Sequence, residues 1–305
     1  MDLGTLLHLE SHGPDTYLGV GPQYPWGGLY GGQIVAQALR AAASTVEDDL
    51  IVHSLRAYFI RRGDNTEPVR YEVDRIRNGR SFCTRRVVAR QAIGAILNLE
   101  ASFQRAEAAP DLITVTMPQN LPAPDDLQST AWTPSFERRW LPHGSLVAGE
   151  RTGTGRLGAW MRVNETVGDD DLLHRCWLAY LSDDMPTDTV RAALAEHERT
   201  TTGRQRVAAD DPVHEDQAHE DQAHEDQAHE DQAHEDQAWW DQVFSASLDH
   251  AIWFHRPVRA DDWHLYDMTC HGYTGGRGLA TGHVFAPDGA HVATIAQEVL
   301  LRQGR

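Results

Sequence analysis

The chain has 305 residues, 41% of them apolar, enough for two domains of ordinary size with a full core each. Its formal net charge is −18, but ten of the 45 acidic residues sit in five copies of His-Glu-Asp-Gln-Ala between His214 and Ala238. Without them 27 basic residues face 35 acidic ones, a balance of −8 that is ordinary for a soluble protein and, with no basic stripe, excludes nucleic acid as a partner. No run approaches 18 apolar residues, so no membrane span is expected. The first ten residues lack the basic region and apolar core of a secretory signal. Three scattered cysteines, Cys83, Cys176 and Cys270, are odd in number and lack metal-ligand spacing. They suit a reducing, cytoplasmic setting as small core residues, with no metal centre.

Residues 1–30 are loop-rich, with Gly-Pro and Pro-Trp-Gly-Gly punctuation. Gly31-Gly32 then opens an alanine-rich stretch from Gln33 to Ala43 that is apolar on most sides, which predicts a buried helix. Four strands follow: 52–61, 71–76, 80–89 and, after a turn at Gly94, 95–103. Residues 105–135 are rich in Pro, Asp and Ala with little periodicity and read as an interdomain connection. A strand is expected at 159–164. Asp169-Asp170-Asp171 ahead of the apolar run 172–181 is a helix start signal.

Residues 185–244 end in the pentad array. A five-residue repeat holds no persistent face on a helix or a strand. At two net negative charges per unit the array should be solvated. Its histidines match neither His-x₃-His nor any closed ligand set, so no metal site is assigned to it. Strands are then expected at 247–257, 264–269, 277–285 and 291–299. The strand 247–257 echoes 52–61, each with an aromatic pair two residues before an arginine. Two sets of helix and four strands in one order point to an internal duplication. A helix covered by an antiparallel sheet that curls around it is the economical way to bury both.

Three motifs need weighing. Gly153-Thr154-Gly155-Arg156-Leu157-Gly158 spells the dinucleotide fingerprint, but a strand follows it where a helix is required, so it reads as a turn. Ser247, Asp249 and His250 suggest a hydrolase triad. On a regular strand Ser247 and Asp249 share a face and His250 points to the other, so the three cannot hydrogen-bond in series. No Gly-x-Ser-x-Gly elbow occurs either. Asp183, Ser247 and Gln297 are polar residues inside apolar elements. Their ordinary readings are a helix-end acid in solvent, a strand-end hydroxyl and a surface amide. If buried they should meet one another, because each would cost about 1–3 kcal/mol unpaired.

These residues together resemble the acyl-CoA thioesterase II (TesB-like) family, which includes peroxisomal members. The match rests on Tyr30-Gly31-Gly32-Gln33-Ile34-Val35-Ala36-Gln37-Ala38-Leu39, on Val52-His53-Ser54-Leu55 with Tyr58-Phe59, and on Arg61-Arg62-Gly63-Asp64. It continues through Asn78-Gly79-Arg80-Ser81-Phe82, Thr84-Arg85-Arg86-Val87 and Ala101-Ser102-Phe103-Gln104. In the second half it uses Leu178-Ala179-Tyr180-Leu181-Ser182-Asp183, Leu248-Asp249-His250, Trp253-Phe254-His255-Arg256-Pro257 and Gln297-Glu298.

The resemblance implies an α+β double hotdog, two repeats of an antiparallel sheet wrapped around a central helix. They would be residues 1–104 and 136–305, joined by the 105–135 connection, with the His-Glu-Asp-Gln-Ala insertion at 214–238. It implies hydrolysis of fatty acyl-CoA to a free fatty acid and coenzyme A, within lipid metabolism. The family's catalytic aspartate falls on Asp183, its hydroxyl residue on Ser247 and its glutamine on Gln297. The segment between Asp183 and Ser247 is longer than the family pattern, swollen by the pentads. Water activated by this set needs no cofactor and no metal. Backbone N–H groups near a helix amino terminus could hold the oxyanion, and Gly31 and Gly32 are the candidates, because glycine lets a ligand approach the backbone. The family also implies a homo-oligomer. The carboxy terminus, Gln303-Gly304-Arg305, is not a peroxisomal Ser-Lys-Leu address. Two alternatives are an enoyl-CoA hydratase on the same fold and an acyl-CoA-binding or scaffolding module without turnover, with the acidic array as its interaction arm.

Overall fold

The computed structural model describes residues 3–142, 144–146, 155–209 and 243–303, the side chains of 202–209 and 303 excepted. The pentad array at 214–238 and Gly153-Thr154 of the glycine-rich turn lie outside the described residues. The first repeat comprises α1 (Leu3–Leu6), β1 (Glu10–Ser11), β2 (Thr16–Gly19), α2 (Gly31–Ala43), β3 (Leu50–Phe59), β4 (Val69–Asn78), β5 (Phe82–Gln91) and β6 (Gly94–Arg105). A connection with one 3₁₀ turn, Pro124–Asp126, leads to β7 (Phe136–Trp140) and β8 (Arg156–Val163). Then come α3 (Asp171–Leu181), α4 (Met185–Ala209), β9 (Val243–Ser247), β10 (Asp249–Phe254), β11 (His264–Thr274), β12 (Arg277–Phe285) and β13 (His291–Gln303).

All thirteen strands join one antiparallel sheet in the order β1-β2-β4-β5-β6-β3-β10-β13-β12-β11-β8-β7, with β9 on β13. The duplication is visible in this order. Outward from the centre, one side runs β3, β6, β5, β4 and the other β10, β13, β12, β11, so each repeat places its first, fourth, third and second long strand in turn. The two strands that echo each other in sequence, β3 and β10, pair across the join, with Ala57 opposite His250 and Leu55 opposite Ile252.

The sheet wraps two central helices. Ten of the thirteen residues of α2 are buried, among them Val35, Ala36, Ala38 and Leu39 with essentially no exposure. Its two buried amides find partners: Tyr24 Oη donates to Gln33 Oε1 at 2.7 Å, and Gln37 Nε2 donates to the carbonyls of Leu6 and Val20. The Asp170 carboxylate caps α3 by accepting from Leu172 and Leu173 N–H, worth about 1 kcal/mol. Trp177, Leu178, Tyr180 and Leu181 of α3 are all buried, each stabilising the core by roughly 1.5–3 kcal/mol. The helices pack on each other where α2 begins. A Cβ on Gly32 would collide with the backbone carbonyl of Tyr180, so only glycine admits this approach. Tyr30 Oη donates to the same carbonyl at 2.8 Å.

Several elements depart from the sequence expectation, beginning with α1, β1 and β2 inside the loop-rich residues 1–30. The 25-residue helix α4 occupies a stretch left without regular structure, because its polar composition gives a weak apolar face. The short strand β7 also goes beyond the expected elements. The expected strand at 247–257 is divided. Between Ser247 and Ala251 the chain advances four residues while its partner β13 moves only three, from Val299 to Ala296. One extra residue is a β-bulge, and it turns the following side chains to the other face.

Candidate active site

Asp183 lies in the break between α3 and α4. Pro186 causes the break: it has no N–H for the carbonyl of residue 182, and its ring would press on that carbonyl in a continuous helix. The chain therefore closes α3 with Ser182 N–H on the Leu178 carbonyl at 2.9 Å and restarts at Met185. Asp183 is thereby held at the amino terminus of α2, whose Gly32 N–H donates to its carboxylate. A Cβ on Gly31 would come within 2.5 Å of Asp183 Oδ2, so Gly31 makes room for this acid, as Gly32 does for the Tyr180 carbonyl.

Ser247 and Gln297 reach the same carboxylate from the sheet. Ser247 Oγ donates to Asp183 Oδ1 at 3.1 Å, and Gln297 Nε2 donates to Ser247 Oγ at 2.8 Å. Gln297 is wholly buried, on the inward face of β13 with Ile295 and Val299. Asp183, Ser247 and Gln297 thus form one hydrogen-bonded group, in which Asp183 and Gln297 are buried and Ser247, at the end of β9, is half-buried. Asp183 is only 7% exposed. Burial pushes its pKa up to about 7, against the opposing pull of the Ser247, Gln297 and Gly32 donors, and neighbouring Asp184 adds to the rise.

His250 is a correction to the regular-strand argument. Because of the bulge it does not point away from Ser247; both face inward onto Gln297, with His250 Nδ1 at 2.5 Å from Gln297 Oε1. Its Nε2 lies 2.8 Å from Ser182 Oγ. Asp249 turns instead to the backbone and accepts from Glu298 N–H at 2.7 Å. His250 and Ser182 were not among the expected site residues. The signal for His250 was its place two and four residues before Ile252 and Phe254, on the buried face of a strand.

Asp184 needs its own partners. Arg138 of β7 meets Asp184 Oδ2 at 2.6 Å, and Trp132 Nε1 donates to Oδ1 at 2.6 Å. So the 105–135 connection contributes a side chain beside the catalytic candidate, in a cluster where Trp132 stacks edge-on to Tyr30 and Phe136. Arg138→Met is expected to strand Asp184 as a buried, unpaired charge at a cost of about 3–5 kcal/mol. Urea unfolding checks this, and Asp184→Asn added to the same protein should recover much of the loss. Among the described residues no group of three or more His, Cys, Asp or Glu side chains is arranged to hold a metal ion.

Helix α2 is wrapped by the first half of one antiparallel sheet and the broken helix α3–α4 by the second, with a buried acid where they meet, and this makes a double-hotdog protein. Residues 21–104 match the family model for the acyl-CoA thioesterase N-terminal domain, and residues 111–301 that for the acyl-CoA thioesterase C-terminal domain. The chain is similar to acyl-coenzyme A thioesterase 8 of Mus musculus, 32% identical over 98% of this chain and 88% of that one. It is similar to acyl-CoA thioesterase 2 of Haemophilus influenzae, 30% identical over 97% and 96%. A crystal structure of acyl-CoA thioesterase II TesB2 from Mycobacterium marinum superposes with a TM-score of 0.72 at 30% identity, covering 99% of this chain and 98% of that one. The chain belongs to the acyl-CoA thioesterase II (TesB-like) family and is a thioester hydrolase.

Proposed function

We propose that the protein hydrolyses fatty acyl-CoA to the free fatty acid and coenzyme A with a water activated by Asp183, Ser247 and Gln297. The observation that carries this reading is the buried carboxylate of Asp183, poised near neutrality and fed by a hydroxyl and an amide. A general base works best with its pKa near the working pH. The water oxygen forms a bond to the thioester carbonyl carbon as its proton passes to Asp183. Collapse of the tetrahedral intermediate breaks the C–S bond, and the proton leaves Asp183 for the thiolate sulfur. Ser247 and Gln297 hold the water and the acid in line.

The developing oxyanion needs a donor. Gly31 N–H is the better of the two glycine candidates, since Gly32 N–H already serves Asp183. The division into repeats at 1–104 and 136–305 with a 105–135 connection is part of the same proposal, supported by the mirrored strand order. So are a cytoplasmic setting, in keeping with three free cysteines, and a homo-oligomer, which sedimentation equilibrium would read.

The test is release of the coenzyme A thiol from short to long acyl-CoAs, beside hydration of crotonyl-CoA. Turnover on saturated thioesters is the expected result. Binding without thiol release would overturn the proposal in favour of a non-hydrolytic module, and hydration without release in favour of a hydratase.

A further inference from the structure

The hydrogen bonds of Asp183 do not stop at Gln297. They run on through His250 to Ser182, every member except Ser247 almost fully buried. We propose that His250 and Ser182 are positioning residues, which fix the Gln297 side chain with its N–H edge toward Ser247 and Asp183. This rests on the thioesterase reading above and adds to it the source of the glutamine's orientation.

A glutamine amide has two edges of nearly the same shape, one that donates and one that accepts. Turned the wrong way, Gln297 would set its carbonyl oxygen against Ser247. The hydroxyl would then donate to that carbonyl, and ionised Asp183 would lose a donor. Something on the far edge must therefore choose. The only polar side-chain atom hydrogen-bonded to Gln297 Oε1 among the described residues is His250 Nδ1. Burial drives the His250 pKa down to about 4, so at neutral pH the ring is uncharged and carries a single N–H. A carbonyl cannot donate, so this proton sits on Nδ1. Nε2 is then a lone pair, and it takes the Ser182 hydroxyl proton at 2.8 Å. The donors run in one sense, from Ser182 to His250 to Gln297 to Ser247 to Asp183, and end on the carboxylate.

Ser182 has a second choice, since its Oγ also lies 3.0 Å from the Ala179 carbonyl. If it donates there, the ring proton moves to Nε2, the amide turns over, and every bond in the series reverses. That sense suits Asp183 after it has taken a proton from water and become a donor itself. The chain thus has one arrangement for each state of the base. Ser182 and Asp183 are neighbours at the helix break, which ties the far end of the series to its near end.

Histidine variants separate this role from simple packing. Asparagine places an amide nitrogen where Nδ1 stands, whereas glutamine reaches only as far as Nε2. His250→Gln is expected to lower kcat by about 30- to 100-fold with KM changed less than about threefold, the scale of a misplaced catalytic group. His250→Asn should recover activity to within about tenfold of wild type. Equal losses in both variants, or no loss in either, would overturn the assignment. A measurement on the unmutated protein does not depend on the variants folding: the ¹⁵N spectrum of labelled histidine above pH 8 should show His250 as the Nδ1–H tautomer. The Nε2–H tautomer there would overturn the proposal. A wild-type protein with no thiol release from any acyl-CoA would defeat the thioesterase reading alone, and the tautomer would still judge the series of bonds.

Discussion

Asp183→Asn is expected to lower kcat for thioester hydrolysis by about 10²–10⁴-fold while leaving KM within a few-fold of wild type. Asparagine is isosteric with aspartate and can still accept from Ser247, so the helix break and the bulge should persist. What it cannot do is take a proton from water. Wild-type activity should climb as pH rises through about 7, the pKa to which burial raises Asp183, because only the ionised acid is a base. The residual activity of the asparagine variant should lack that rise. Thiol release measured across this range, on folded protein checked by circular dichroism, decides the matter. A variant as active as wild type would keep the hydrolase and remove Asp183 as its base.

Much of this architecture was legible because its signals are local and repeated. The alanine-rich run after Gly31-Gly32 is apolar on most sides, which predicts a covered helix, and α2 is that helix, with Gln33 and Gln37 buried along with its apolar residues. The aromatic-rich echo between 52–61 and 247–257 gave the duplication, and the two strands proved to be partners at the centre of the sheet. The site was legible in part for an energetic reason. Three polar groups inside apolar elements either point outward or meet, and Asp183, Ser247 and Gln297 meet.

What escaped the sequence depended on register. A bulge of one residue between Ser247 and Ala251 leaves no compositional mark, yet it decides which way His250 faces. Helix α4 escaped because helix recognition leans on an apolar stripe, which its charged and threonine-rich surface hides. Trp132 and Arg138 escaped because their partner, Asp184, lies about fifty residues away and is brought to them by the tertiary packing.

The same substitution should raise stability where it removes activity, by an amount that grows from pH 4 to about 7. Asp183 binds its proton more tightly in the folded chain, at about 7, than its ordinary value of 3.8. The folded state thus holds the extra proton. The stability that this binding contributes is fully present below pH 3.8 and is lost as pH rises through about 7. Above that the folded protein carries a buried negative charge that the unfolded chain would hold in water. A shift of about three pH units at about 1.36 kcal/mol each corresponds to roughly 4 kcal/mol. Asparagine has nothing to ionise and escapes the cost. The unfolding free energy of Asp183→Asn relative to wild type should therefore increase between pH 4 and 7 and level off above about 8. Asp188, raised by burial to about 6, bends both curves alike and cancels in the difference. Urea unfolding of both proteins, with the denaturant slope unchanged, reads the effect directly. A constant difference across the whole range would mean that Asp183 is not held in its acid form by the fold. A rising one would mean that the chain gives up stability at this position for a base that water can use, the trade expected where a charged group is kept in a dry site for catalysis.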